Sequence, residues 1–372
     1  MKIGLLTTIK TNVGDDLIRL GIKRMLQQAF KGPIEWVEVN KHTAWTAFKN
    51  PIVRETVKRL QNPSFVARYP LLKKYEASVC RRVSSCFDDC DMVIQCGAPV
   101  FWSYCHLAEW AGPLWYGALM RLSRRMPVYN LAAGSCYPWT DRDHVNIPEQ
   151  DAAYIRHIHS VCATTTVRDK LAGQICEQLG LETRVLPCTA LLSADDIATA
   201  SAQVKGTKRI LVNYMPGAGH YAFDQPIDAA DWEATLVEVL KRFQGEYGIA
   251  FVCHNQAEAE ASRKLGIDGE IVVAHSAESY HQTAGAATVA ICNRIHASVA
   301  LASAGIPSVT VGTDTRLLMS EEAGIRSEFV SDMTADRLAE AVQSLIQSRD
   351  QESEKLLALK AETKAKYTDI FA

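Results

Sequence analysis

The chain reads as an α/β protein of two doubly wound parallel-sheet domains facing a cleft. Three observations predict this. Short apolar runs alternate with helix-period segments along all 372 residues, as in parallel sheets whose crossovers are helices. The alternation breaks over residues 194–206, where Ser, Ala, Asp, Gln and Lys replace the apolar periodicity. The length suits two units at about 100–200 residues per domain. The expected division is residues 1–197, 198–345 and a closing helix, 346–372, that packs back on the first domain.

The elements follow in order. In the first half, strands are expected over residues 2–8, 34–40, 91–96, 128–132, 161–166 and 183–186. Between the first two, Ile18, Ile22, Met25, Leu26 and Ala29 recur at helical spacing and give one apolar stripe. In the second half, strands are expected over residues 209–214, 249–254, 270–274, 288–292 and 308–311. Leu338, Val342, Leu345 and Ile346 stripe a late helix, which Leu356, Leu357 and Leu359 continue in a charged background. Paired domains of this kind bind ligands at the C-terminal ends of their strands.

Composition narrows the function. Hydrophobic residues make up 48% and charged residues 22%, enough for an ordinary core in each half. The net charge of −2 argues against a dedicated nucleic-acid binder. No run approaches the roughly 20 apolar residues of a membrane span. The start, Met1-Lys2-Ile3-Gly4-Leu5-Leu6, turns polar by Thr7 and reads as a buried strand rather than a signal peptide, so a cytoplasmic protein is expected. The eleven cysteines read as reduced, mostly buried thiols. Cys80, Cys86, Cys90, Cys96 and Cys105 cluster, but without a CxxC pair, so no metal is expected.

Five loops at expected strand ends carry candidate chemistry. Asn12-Val13-Gly14-Asp15-Asp16 follows the first strand. An Asp here caps the helix, or Asp15 faces the cleft and takes a proton from a sugar hydroxyl. Gly97 allows close backbone approach before Phe101 and Trp102, which stack on a sugar face or fill the core. Gly134-Ser135 leaves room for ligand. Arg168 suits bidentate binding of carboxylate or phosphate, or else pairs with Asp169 at the surface. Asn293-Arg294-Ile295-His296 opens a small-residue helix, where free backbone N–H groups already favour an anion. Arg316, His254 and Asn255 are weaker additions.

These loops, in this order, resemble the polysaccharide pyruvyl transferase family. The matching segments are Asn12-Val13-Gly14-Asp15, Gly97, Arg168-Asp169, Arg294-Ile295-His296-Ala297 and Gly305-Ile306-Pro307. The resemblance implies a GT-B-like pair of Rossmann-like domains. It also implies transfer of a pyruvyl group from phosphoenolpyruvate to hydroxyls of a nucleotide- or lipid-linked sugar acceptor, with no further cofactor. By that resemblance Arg294 and His296 contact the donor, Arg168 assists, and Asp15 serves the acceptor. The chain departs from the family's frequent pattern at Ala98, at Cys188, where an Asp is common, and at Arg316, where a Lys is common.

His296, whose side chain ordinarily titrates near neutrality, is the expected acid or phosphate partner. The basic residues Arg54, Lys58, Arg59, Arg68, Lys73, Lys74, Arg81 and Arg82 form a solvated helix face or a patch for the inner face of an anionic membrane. Two other functions fit the same fold: a glycosyltransferase using a nucleotide sugar, and a catalytically silent sugar- or anion-binding protein.

Overall fold

The structure is a computed structural model. It describes residues 1–9, 12–41, 72–97, 99–108, 110–204, 208–285 and 287–372. Thr11, Ala98, Arg54, Lys58, Arg59 and Arg68 lie outside the described residues, as do the side chains of Lys73 and Lys74. Arg81 and Arg82 are exposed on a helix.

Two parallel sheets form the molecule. The first contains β1 (Lys2–Thr7), β2 (Glu35–Asn40), β3 (Met92–Cys96), β4 (Pro99–Phe101), β5 (Val128–Ser135), β6 (Thr164–Val167) and β7 (Arg184–Val185). Its order is β2-β1-β3-β5-β6-β7, with β4 on β5. The second contains β8 (Arg209–Asn213), β9 (Gly248–Cys253), β10 (Glu270–Val273), β11 (Val289–Cys292), β12 (Ser308–Gly312) and β13 (Arg326–Phe329). Its order is β10-β9-β8-β11-β12-β13. In both sheets the chain adds strands to one side of the first strand and then reverses. The reversals fall between β1 and β3 and between β8 and β11, where open α/β sheets leave a crevice for ligand.

All eleven expected strands are present, some with shifted ends. The strand expected from residue 161 begins at Thr164, because Val161 completes the buried stripe of the preceding helix with Ile155 and Ile158. The break at residues 194–206 is partly helical: Asp195 caps a helix over Asp196–Ala202. Strands β4 and β13 were not expected.

The helix after β1, α1 (Val13–Ala29), buries Ile18, Ile22, Met25 and Leu26 on the first sheet. Its Gly21 lies so close to the Thr189 carbonyl that a Cβ would overlap it, which seats the helix on the connection between the halves. The last helix, Arg349–Thr368, does return to the first domain. Tyr367 is fully buried and donates to the Pro187 carbonyl at 3.1 Å, and Phe371 packs edge-on to Phe30 at 5.9 Å. Lys360 donates to the carbonyls of Ala194 and Ser303, one on each side of the crossover. Burial pushes its amine down to about 8.

The halves also meet beside the cleft. Pro138 and Asp314 form an antiparallel bridge, and Tyr137 N–H donates to Thr315 Oγ1 at 2.9 Å. Trp139 stacks on Phe329 at 6.0 Å. These contacts fix the spacing of the two crevices.

Candidate active site

The crevices of both sheets open into one cavity of about 630 Å³. Asn12, Gly14, Asp15, Lys41, Trp102 and Trp110 come from the first half. Loops after β8, β9, β11 and β12 supply His220, His254, Arg294, His296 and Arg316.

Asn12, rather than an aspartate, caps α1: its side chain accepts from Gly14 N–H at 3.0 Å. That frees Asp15, partly buried on the cavity wall and reached by Asn12 Nδ2 at 3.3 Å. Asp16 turns inward and pairs with Arg19 at 2.6 Å. Burial raises the Asp16 carboxyl, and the Arg19 charge opposes that rise.

Gly14 has a specific purpose. A Cβ there would lie 2.8 Å from His296 Nδ1 and 3.1 Å from His296 Cβ. The start of the first helix of one half therefore sits directly against the His296 ring of the other.

Arg168 lies behind that ring. It is 1% exposed, and its Nη1 donates to His296 Nε2 at 3.1 Å. A guanidinium stays protonated, so it must be the donor. His296 therefore accepts through Nε2 and carries its proton on Nδ1. Burial, then the charges of Arg168 and Arg316, hold the imidazole well below its ordinary range. The expectation of a residue titrating near neutrality is thus corrected: His296 is neutral in the unliganded protein.

Arg168 and Asp169 are not a surface pair. Asp169 is buried and accepts from Ala172 N–H, Ser135 N–H and Ser135 Oγ, each at 2.8 Å, capping the helix Lys170–Gln178. Arg168 makes no ion pair among the described residues, and its Nη2 has no hydrogen-bond partner. Its other near neighbour is the Cys188 thiol, 3.8 Å from Nη1. The small pair Gly134-Ser135 makes room for Arg168 rather than for ligand, since a Cβ on Gly134 would stand 2.4 Å from Arg168 Nε.

The other two arginines are neutralised. Arg294 Nε donates to Glu258 Oε1 at 2.9 Å, its Nη2 contacts the same oxygen, and its Nη1 contacts His220 Nε2. Glu258 also accepts from His254 N–H at 2.8 Å and from Asn255 Nδ2 at 2.9 Å. Arg316 grips Asp314 with Nε at 2.8 Å and Nη2 at 2.6 Å. Burial and the neighbouring Arg294 push His220 down to about 4. His254, with neither ring nitrogen hydrogen-bonded, is also held neutral, chiefly by burial.

Two predicted residues are structural. Asn293 lines the cavity, but its Oδ1 accepts from Met215 N–H and its Nδ2 donates to the Val311 carbonyl, both at 2.9 Å. It ties three strand ends together. Gly97 does not line the cavity; it is wedged between Ile18 and the Ala132 carbonyl, each 3.0 Å from a built Cβ. Phe101 is core, whereas Trp102 lies on the cavity wall. The countercharges Glu258 and Asp314, with Lys41, His220, Trp110 and Tyr221, went unflagged. Acids in a helix's first turn look like dipole partners in sequence, so nothing marked Glu258 as the counterion of Arg294.

All eleven cysteines are free, and all but Cys86 and Cys162 are buried. Among the described residues no helix is long and apolar enough to cross a membrane.

No curated protein matches the chain. Solved structures do match over nearly its whole length. Staphylococcus aureus MnaA in a UDP co-structure is 14% identical, covers 97% of this chain and 91% of its own, and gives a TM-score of 0.53. UDP-GlcNAc 2-epimerase from Neisseria meningitidis bound to UDP-GlcNAc is 11% identical, covers 96% and 94%, and gives 0.53. At such identities the likeness is one of fold, two Rossmann-like domains in the GT-B arrangement. A family model described as polysaccharide pyruvyl transferase matches residues 12–315, from the α1 cap through the Arg168 and His296 loops to Thr315. The chain belongs to the polysaccharide pyruvyl transferase family.

Proposed function

We propose that this protein moves a pyruvyl group from phosphoenolpyruvate to hydroxyls of a sugar in a cell-surface or exopolysaccharide precursor, presented on a nucleotide or lipid carrier. One observation carries the reading. A buried guanidinium without a carboxylate partner, Arg168, is bonded to a neutral imidazole at the base of the cleft. A buried charge is costly unless something compensates it. An anionic donor is a fitting compensator. The N-terminus of the helix Ile295–Ser303, which no side chain caps, adds backbone N–H groups beside it.

The chemistry then runs as follows. A sugar hydroxyl oxygen adds to the donor carbon that bears the phosphate, and the adjacent methylene takes up a proton to become methyl. The C–O bond to phosphate breaks and phosphate leaves with the electron pair. A second hydroxyl of the same sugar attacks the resulting cation, closes the ketal and releases its proton. Arg168 and the helix N-terminus hold the negative charge. Asp15, at the wall contributed by the first half, takes the proton of the attacking hydroxyl. His296 is neutral until the donor enters. The donor's negative charge offsets the surrounding arginines and draws the Arg168 guanidinium off His296 Nε2, so that nitrogen can then bind a proton and hand it on.

Purified protein incubated with phosphoenolpyruvate and a panel of nucleotide-linked and undecaprenyl-linked sugars should release phosphate and add a pyruvyl mass to one acceptor. Absence of donor binding in calorimetry would overturn the reading. Stabilisation by UDP but not by phosphoenolpyruvate in thermal shift would instead favour a nucleotide-sugar transferase; the solved neighbours include a UDP co-structure and a UDP-GlcNAc 2-epimerase bound to UDP-GlcNAc.

A further inference from the structure

The arginine end of the cavity accounts for only part of it. About 630 Å³ is a volume that suits a drug-sized ligand. A three-carbon phosphate leaves most of it open. The remaining wall includes four aromatic rings, which come from both halves, with Lys41 lying 5.1 Å over the Trp110 ring.

From the first half, Trp102 and Trp110 meet edge to face at 5.7 Å, both partly exposed. From the second half, Tyr221 and Phe223 lie 5.5 Å apart. They are 50% and 37% exposed while lining the same cavity, which places them at its rim. Large apolar rings left in water at a cavity mouth mark a binding surface more often than a core.

The loops that carry these rings are strained and tied down. Five non-glycine residues among those described have left-handed backbone angles. Ala218, Phe223 and Asp224 belong to the Tyr221 loop, with φ of 61°, 52° and 55°. Tyr104, φ 65°, follows two residues after Trp102. Such conformations are unfavourable for residues with a Cβ and persist where surrounding contacts enforce them. Those contacts are present. Thr313 Oγ1 donates to the Tyr221 carbonyl at 2.7 Å, and Gln225 Nε2 to the Thr313 carbonyl at 2.8 Å. Gln225 Oε1 accepts from Trp139 N–H, across the cleft, at 2.8 Å. The Arg316 guanidinium lies 5.0 Å over the Tyr221 ring. On the opposite side, Tyr104 N–H donates to the buried Asp151 at 2.8 Å. Both ring pairs are therefore held in place before any ligand arrives.

We infer that Trp102 and Trp110 on one side and Tyr221 and Phe223 on the other form the acceptor subsite, which holds a pyranose ring by its C–H faces. This inference rests on the proposed function for the identity of the acceptor as a sugar. A pyranose fits because it offers apolar faces to the rings and hydroxyls at its edge to Asp15 and to the donor end. The two pairs belong to different halves, so the acceptor bridges the cleft.

The test is ligand-observed NMR with calorimetry, with phosphoenolpyruvate present. The probes are methyl β-D-galactopyranoside, methyl β-D-glucopyranoside and methyl α-D-mannopyranoside, with galactitol as an open-chain control lacking ring faces. At least one pyranoside should bind, with saturation concentrated on its face protons, and galactitol should not. Trp102→Ala and Phe223→Ala should each weaken that binding about tenfold, as expected for lost aromatic contacts. Trp102→Phe and Phe223→Tyr should restore it, and phosphoenolpyruvate affinity should stay constant throughout. Pyranoside binding that is equal in the alanine variants, or absent in the wild type at millimolar concentration, would overturn the inference. Pyranoside binding without phosphoenolpyruvate binding would leave the subsite standing and remove the donor assignment.

Discussion

On the C-terminal wall of the cleft Arg294 and Arg316 each lie against a carboxylate, Glu258 and Asp314, whereas Arg168, behind the His296 ring and outside the cavity lining, is buried without an ion pair. The difference locates the net charge of the site. A paired arginine presents hydrogen-bond geometry with little field, because its carboxylate cancels most of the potential. An unpaired one supplies both. Sequence alone ranks Arg294 first, since it opens a helix beside a histidine. The proposed function moves the weight to Arg168.

The largest expected effect follows from that contrast. Arg168→Met should lower kcat/KM for the donor by about 10²–10³-fold, the range seen when one charge-stabilising donor is removed. The thermal midpoint should hold or rise, because a buried charge with no direct ion pair is being replaced by an apolar side chain. A drop in both would mean that Arg168 is structural.

Arg294 should behave differently. Arg294→Met leaves Glu258 as a lone buried anion in the cavity, so donor affinity should fall about 10²-fold and stability should fall with it. Adding Glu258→Gln removes that anion. The double variant should regain donor affinity to within about tenfold of wild type, a coupling that a double-mutant cycle reads directly. No recovery would show that Arg294 itself holds the donor.

How far the sequence foretold this differs between fold and site. All eleven expected strands are present; the central ones are legible because parallel strands buried on both faces read as continuous apolar runs, while β2, β7 and β10 are only partly buried or exposed. The two that escaped lack that signature. Strand β4 is three residues long, and β13 reads Arg-Ser-Glu-Phe at the sheet edge. At the site, the loops with Asn12, Gly14, Asp15, Arg168, Arg294 and His296 were legible because each follows a strand. What each side chain does there was not. Asn293 and Gly97 are used for packing, and Asn293 lines the cavity with both of its polar atoms engaged. The pairing of Arg294 with Glu258 spans 36 positions, and the meeting of Arg168 with His296 spans 128. Neither leaves a local pattern to read.

A smaller effect tests how the two walls are brought together. Gly14→Ala places a methyl 2.8 Å from His296 Nδ1. It should displace the ring and cost about tenfold or more in turnover. Circular dichroism should stay unchanged, since alanine favours the helix itself. The smallest effect is in protons. His296 is held neutral in the free protein, so a donor that raises its affinity for protons should bind with proton uptake. Calorimetry in buffers of different ionisation enthalpy should detect up to about one proton taken up near neutral pH, and donor affinity should fall as pH rises. Proton release would contradict the sign.

The most direct measurement is calorimetric titration of phosphoenolpyruvate into three proteins: wild type, Arg168→Met, and the Arg294→Met, Glu258→Gln double variant. The account predicts binding to wild type, clear binding to the double variant, and binding weakened by about 10²–10³-fold in Arg168→Met. Binding that survives undiminished in Arg168→Met but vanishes in the double variant would contradict it.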